Sequence, residues 1–209
     1  MGGDGSRTGG GEAASTPDTE LGICWACGQG VSPRAFFCHR CGAIQPPASL
    51  DAFARLNLSP RFDIDPAALD RQLAGFRRVL DPARFEKRDA REKILAEAQR
   101  AALSAAHAEL RDPVSRARLI LAQAGLAWSE EAGDPFDWGG QLAAASDRVE
   151  VARIVGAVAR EREAELRRLS GAFQAGRYDQ AVASAQRLDT LRRLSETAER
   201  RLAELAGDE

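Results

Sequence analysis

Four cysteines fall in one short stretch of this chain, where Cys24-Trp25-Ala26-Cys27-Gly28 and Cys38-His39-Arg40-Cys41-Gly42 spell C-x2-C-x10-C-x2-C with a glycine after each pair. Two thiolates two residues apart can grip one ion from a tight turn whose backbone N–H groups also point at the sulfurs, and the glycine tolerates the positive φ that such a knuckle needs. Two knuckles complete a tetrahedral four-sulfur site, which zinc accepts without redox chemistry; iron in a rubredoxin-like site is compatible with the same ligands. Two disulfides or free thiols are the alternative. No apolar signal-peptide core precedes the cysteines, so a reducing cytoplasm is the expected compartment, and there clustered thiols more often hold metal. Four thiolates leave no coordination position for water, so the expected zinc is structural. His39 is read as a surface residue rather than a ligand. Trp25, Phe36 and Phe37 are expected to form the small apolar core of this module, which should lose its fold without metal.

Little else in the chain suggests chemistry. His39 and His107 are the only histidines, and no phosphate-cradling glycine loop or spaced set of catalytic carboxylates accompanies them, so no enzymatic activity is expected. His107 sits in an Ala-rich run and is read as a helix-packing residue. A net charge of -2 and a pI near 5.8 argue against nucleic acid as a partner, with Arg34 and Arg40 as thin counter-evidence. No stretch approaches the roughly 18 consecutive apolar residues of a membrane span. Lys87 and Lys93 are the only lysines, so arginine abundance is a compositional bias before it is a functional signal.

The fold expected around the cysteines is mainly α, because Ala and Leu dominate the apolar residues. Residues 1–20 are Gly, Ser, Thr and acid and read as a disordered tail; 21–47 are the cysteine module, of zinc-ribbon or rubredoxin-like type, closed by Pro46-Pro47. In 48–125, Ser49 caps a short helix with Leu50, Phe53 and Leu56 on one face, stopped at Leu58-Ser59-Pro60. Asp65-Pro66 starts a second helix with Leu69, Leu73, Phe76 and Leu80 as its stripe, ended by Pro82. After a charged loop, a long helix is expected to bury Ile94, Leu95, Ala98, Ala102, Ala105 and Leu110. Asp112-Pro113 opens another, carrying Val114, Ala117, Ile120 and Leu121 and stopping at Gly125. Residues 126–140, with Asp134-Pro135 and Gly139-Gly140 as breakers, read as a connection. Residues 141–209 read as an antiparallel helical hairpin turning at 174–177 and closed by a third helix, with Glu163–Arg167 and Glu196–Arg200 as i,i+4 pairs on its wet side.

The order of these parts, and the stretches ICWACG, FFCHRCGAIQPP, DAFARLNLSPRFDIDPAAL, FRRVLDPARF, ELRDPVSRARLILAQAG and AFQAGRYDQAV, resemble the HscB-type iron-sulfur co-chaperones of the J-domain family, in particular those with an N-terminal zinc module. The resemblance covers most of residues 23–125 and a patch near Phe173. It implies J-domain-like helices, an iron-sulfur scaffold protein as partner, and a DnaK- or HscA-type chaperone whose ATPase is stimulated. It fails at the loop that serves stimulation. Where J-domains carry His-Pro-Asp, this chain has Asp81-Pro82-Ala83, so a carboxylate replaces the family's His and a methyl group replaces its Asp.

Arg71, Arg77 and Arg78 on the second helix, with Arg84, Lys87 and Arg88 in the loop, are the candidate chaperone-facing cations. Phe136, Trp138 and Leu142, near the Asp-Pro that opens the C-terminal part, are the candidate scaffold-facing residues. The expected function is an HscB-like adaptor in iron-sulfur cluster assembly with weak or no ATPase stimulation. The alternative is a diverged zinc-containing J-like interaction module outside that pathway.

Overall fold

In the computed structural model, residues 21–126, 134 and 136–207 are described. The tail over 1–20 and most of the connection expected over 126–140 lie outside the described residues. The fold is mainly α, as expected, behind a small cysteine-bearing module. Two-residue strands β1 (Gly22–Ile23) and β2 (Gly30–Val31) pair antiparallel, Gly22 opposite Val31, and Phe37 bridges Ile44. Then follow α1 (Ala52–Arg55), α2 (Pro66–Val79), a 3-10 turn (Pro82–Phe85), α3 (Ala90–Arg111), α4 (Pro113–Gln123), α5 (Trp138–Ala144), α6 (Arg148–Gln174) and α7 (Tyr178–Gly207).

An aspartate opens nearly every helix. Asp51, Asp65, Asp89, Asp112, Asp137 and Asp147 cap α1 to α6 in order, each accepting a backbone N–H of the first turn. Each such bond satisfies one of the orphan donors at a helix start and sets a negative charge against the positive end of the dipole. The expected Ser49 cap is therefore displaced to Asp51, whose Oδ1 takes the Ala54 N–H at 2.9 Å. The stop also comes earlier than Pro60: Asn57 adopts φ 53° and Leu58 N–H reaches back to Phe53 O at 2.8 Å, a left-handed cap. Gly139 and Gly140 do not break the chain but lie inside α5. Gly139 N–H donates to Asp134 Oδ2 at 2.8 Å, and a Cβ on Gly140 would stand 2.6 Å from Asp137 Oδ2, so glycine is what lets this cap close.

Three apolar clusters follow from the helix faces. The first joins Phe53 of α1 and its C-cap Leu56, Leu69 and Leu73 of α2, Phe85, and Ala96, Leu103 and Leu110 of α3, with Ile44 of the cysteine module inserted into it. Cross-contacts fix α2 and α3 as antiparallel: Asp70 meets His107 and Arg111, Arg77 meets Ser104, and Arg100 donates to Leu80 O. The second cluster packs Val114, Ala117 and Leu121 of α4 against Leu169 and Ala172 of α6 and Ala181, Ala185 and Leu188 of α7. The third closes the far end of the α6–α7 hairpin with Leu142 and Ala145, so α5 is the third helix.

Two expected faces are corrected. The buried side of α3 is Glu92, Ala96, Gln99, Leu103, Ala106 and Leu110, whereas Ile94 is 68% exposed and Ala105 is exposed. The stripe is displaced because it passes through two polar residues that have partners. On α7, where Tyr178 could have joined the apolar side, that residue is exposed and the helix contact is made through Ala181, Ala185, Leu188, Leu191 and Ala198. Glu163 and Arg167 pair at 3.9 Å, but Arg200 donates to Thr197 Oγ1 rather than to Glu196. Leu103→Ala should destabilise the chain by about 2–5 kcal/mol in urea unfolding, the usual cost of a cavity at a fully buried leucine. Ile94→Ala should stay within about 0.5 kcal/mol; equal effects would restore the Ile94 face.

Candidate functional site

The two cysteine knuckles are near copies of one another. In the first, Cys24 N–H donates to Gln29 O at 2.8 Å and Gly28 N–H to Cys24 O at 2.9 Å; in the second, Cys38 N–H donates to Ala43 O and Gly42 N–H to Cys38 O, both at 2.9 Å. Gly28 and Gly42 both sit at φ 72°, the left-handed region that the spacing required. The turns carry Cys24 Sγ to 3.7 Å from Cys41 Sγ and Cys27 Sγ to 3.7 Å from Cys38 Sγ, with all four sulfurs within 4.8 Å of one another. A tetrahedral ion with metal–sulfur bonds of about 2.3 Å requires sulfurs roughly 3.8 Å apart. A disulfide requires about 2.0 Å. The four cysteines are unbridged and fit a metal ion.

Electrostatics point the same way. Desolvation would raise the Cys24 thiol, but the backbone N–H groups of Ala26 and Cys27 and the neighbouring thiols outweigh it and bring it down to about 6. The backbone at Cys41 lowers Cys38 against its own desolvation. For Cys41 the backbone at Ala43 lowers the thiol, yet desolvation and the three other cysteines push it up to about 12. The cluster thus favours thiolates but resists ionising the last one, and a bound cation is what removes that conflict.

His39 is exposed, as expected. The aromatic residues are not a private core of the module. Phe36 meets Phe76 of α2 edge to face at 5.4 Å, and Phe37 stacks on Phe85 at 6.4 Å. Trp25 donates Nε1–H to Ile44 O at 2.7 Å and lies 4.1 Å beneath the Arg91 guanidinium. The buried cluster inside the module is Cys24, Val31 and Cys38, while its buried Ile44 packs with the helices instead, so the module borrows apolar contact from them.

The loop at Asp81-Pro82-Ala83 is turned inward electrostatically. Asp81 Oδ1 accepts the Ala83 N–H at 3.0 Å and caps the 3-10 turn that Pro82 begins. The six candidate cations are all exposed but do not share one face. Arg71 and Arg78 are seven residues apart and point alike; Arg71 pairs with Asp65 at 3.4 Å. Arg77 leans to α3, reaching Ser104 Oγ at 3.4 Å, and Arg88 pairs with Glu92 at 3.6 Å. His107 is not a simple packing residue: its Nε2 lies 2.7 Å from Asp70 Oδ1, which Arg111 also meets at 2.5 Å. Arg111 first, then His107, holds the Asp70 carboxyl below its usual range. Nothing local in the sequence marked this cluster, because its members are 37 and 41 residues apart.

At the C-terminal end, Phe136 and Trp138 stack with ring centres 4.6 Å apart and line a cavity of about 690 Å³ with Leu191, Leu194, Arg168 and Arg187. Leu142, expected to face a partner, is instead 1% exposed in the third cluster, in the core beside Trp138 and Leu194. Glu165, fully buried and missed in the sequence, anchors the cavity: its Oε1 accepts from Arg168 at 2.7 Å and Arg187 at 3.4 Å. Among the described residues, no helix is long and apolar enough to cross a membrane.

No protein-family model matches the chain. Curated proteins do. It is 30% identical over 114 residues to the human iron-sulfur cluster co-chaperone protein HscB, covering 53% of this chain and 48% of that protein. It is 30% identical over 109 residues to the Arabidopsis thaliana homologue of the same name, covering 52% and 42%. It is 33% identical over 90 residues to a co-chaperone protein HscB homologue of Bordetella petrii, covering 43% and 53%. The chain spans about half the length of the curated relatives it matches. The crystal structure of human HscB superposes with a TM-score of 0.74 at 23% identity, over 85% of this chain and 97% of that one. HscB from Vibrio cholerae gives 0.63 at 21% identity, over 75% and 99%. The chain therefore resembles HscB co-chaperones in sequence and shares their fold.

Metal analysis checks the cysteine cluster. Protein expressed with zinc available should carry about one ion per chain, released by a strong chelator or by Cys38→Ser, with most far-UV helical signal retained. Two ions per chain, or none, would contradict the four-sulfur geometry.

Proposed function

We propose that this chain is an HscB-like adaptor of iron-sulfur cluster assembly, holding a structural zinc at Cys24, Cys27, Cys38 and Cys41 and binding a scaffold protein through its C-terminal hairpin. The observation that carries this reading is the sequence similarity to proteins named iron-sulfur cluster co-chaperones, on a chain with the same fold. The zinc would hold the knuckles together and supply no reaction. The pairing of four uncrosslinked thiols with similarity to co-chaperones rather than enzymes favours a binding protein in a reducing cytoplasm.

The scaffold surface is the stacked pair Phe136 and Trp138 at the mouth of the Glu165 cavity. Aromatic anchors beside a desolvated pocket are where binding energy concentrates. Arg168 and Arg187 flank it and give the surface polar contacts that fix register.

The chaperone side is weakened by chemistry. Arg71, Arg78, Arg84, Lys87 and Arg88 provide a cationic approach for an acidic DnaK- or HscA-type surface. Asp81, however, spends its carboxylate on its own turn, and Ala83 offers no acceptor to a chaperone arginine. Loss of one member of such a buried charge-assisted pair costs about 2–5 kcal/mol. A diverged interaction module outside iron-sulfur assembly is the second reading, favoured by this same loop.

Two measurements separate them. In titrations against the iron-sulfur scaffold protein of its own organism, the chain should bind, and Trp138→Ala should weaken binding about tenfold or more; absence of binding favours the diverged module. With a DnaK-type chaperone, ATPase stimulation should be weak, and the double substitution Asp81→His with Ala83→Asp should raise it by about an order of magnitude or more. Robust stimulation by the native chain, lost on Asp81→Ala, would show that the loop is competent as it stands.

A further inference from the structure

Between the four sulfurs and α3 runs a short chain of buried amide hydrogen bonds. Gln45, 6% exposed, donates its Nε2–H to Cys24 Sγ at 3.3 Å and to Ala43 O at 2.8 Å. Its backbone N–H donates to Phe36 O at 2.8 Å, and its carbonyl accepts from Gln99 Nε2 at 2.9 Å. Gln99 is 3% exposed on the core face of α3, between Ala96 and Leu103.

An amide in the middle of an apolar helix face is costly unless it is bonded. Gln99 Oε1 finds no partner among the described residues. The bond to Gln45 O is therefore the polar contact that offsets part of the cost of keeping an amide at this position. At the other end, Gln45 donates to a sulfur, a weak acceptor as a thiol and a strong one as a thiolate. Groups that hydrogen-bond to metal-binding side chains orient them and tune affinity. The two glutamines thus link metal loading at Cys24 to a helix that belongs to another part of the fold.

We propose that Gln45 and Gln99 couple metal occupancy of the cysteine cluster to the packing of α3. With Cys24 held as a metal-bound thiolate, Gln45 is fixed at both ends and its carbonyl holds Gln99; with the site stripped, the same seam loosens. The contacts of Phe36, Phe37 and Trp25 across this seam do not pass through the cysteines, so the response is a local loosening of α3 and not its unfolding. The coupling is reciprocal: weakening the Gln99 contact weakens metal binding. This inference rests on the four-sulfur metal reading and goes beyond it by giving the ion a mechanical task outside its own module.

The test uses the full chain, zinc-loaded and stripped. Zinc affinity, measured by competition with a chromogenic chelator, should fall about 10- to 100-fold in Gln45→Ala and about fivefold or more in Gln99→Met, which removes the amide but keeps the volume. Hydrogen exchange of wild-type α3 around residues 96–103 should accelerate on stripping. If Gln99→Met does not fold, as judged by far-UV CD, the wild-type exchange comparison decides alone. A wild-type chain that takes up no zinc would sink the metal reading itself. One zinc bound, with affinity indifferent to Gln99→Met or, where that variant does not fold, with α3 exchange indifferent to stripping, would overturn the coupling and leave the metal site standing.

Discussion

The cysteine module is too small to hold itself. The apolar cluster it forms by itself is two ligands and Val31, far short of what a segment of this length needs to offset its chain entropy. Two constraints compensate. Four sulfurs converge closely enough to share one ion, and Ile44 is inserted, fully buried, into the core formed by α1, α2 and α3. Everything at the front of the molecule depends on that seam, because the rings of Phe36, Phe37 and Trp25 pack on Phe76, Phe85 and Arg91 across it.

The helical body meets a different constraint, that of a chain with few bulky side chains. Its long hairpin packs Val151, Ile154, Val158 and Leu169 of α6 against Leu188, Leu191 and the small Ala181, Ala185 and Ala198 of α7, and α4 joins the hairpin through Val114, Ala117 and Leu121. Buried carboxylates reinforce these contacts: Asp189 on α7 meets Arg192 at 2.6 Å and reaches Arg118 of α4 at 3.9 Å. Exposure of the arginine partners moderates what such pairs contribute; of these two, the Arg118 pair crosses between α4 and α7. The near-neutral composition thus conceals a division of labour. Aspartates are spent at helix starts, and many exposed arginines are spent on acidic side chains, among them Arg71 on Asp65 and Arg88 on Glu92.

What was legible in the sequence was what depends on neighbours in the chain. The knuckles with Gly28 and Gly42, the Asp65-Pro66 and Asp112-Pro113 starts and the turn near Gly176 are local devices, and their residues carry their own geometry. What was not legible depended on distant partners. The face of α3 passes through Gln99, whose hydrogen-bond partner is 54 residues away, so an apolar periodicity aimed at Ile94 instead. Glu165 and the Asp70–His107–Arg111 cluster were invisible for the same reason. Leu142 is buried in the third cluster, and apolar character alone does not tell a surface contact from a core residue. Gly139-Gly140 looked like breakers because the cap that needs glycine, Asp137 in a left-handed conformation at φ 49°, exists only once Asp134 is folded back against it.

On the proposed function, a scaffold protein binds at the C-terminal hairpin and the Asp81-Pro82-Ala83 loop takes no part in that contact. Hydrogen exchange of the full chain, alone and with the scaffold protein of its own organism, tests this most directly. Protection confined to residues 136–138 and the cavity wall around 186–194, with the loop around 81–88 unchanged, is the predicted result. Protection confined to the cysteine module or to the loop, with the hairpin indifferent, would contradict it.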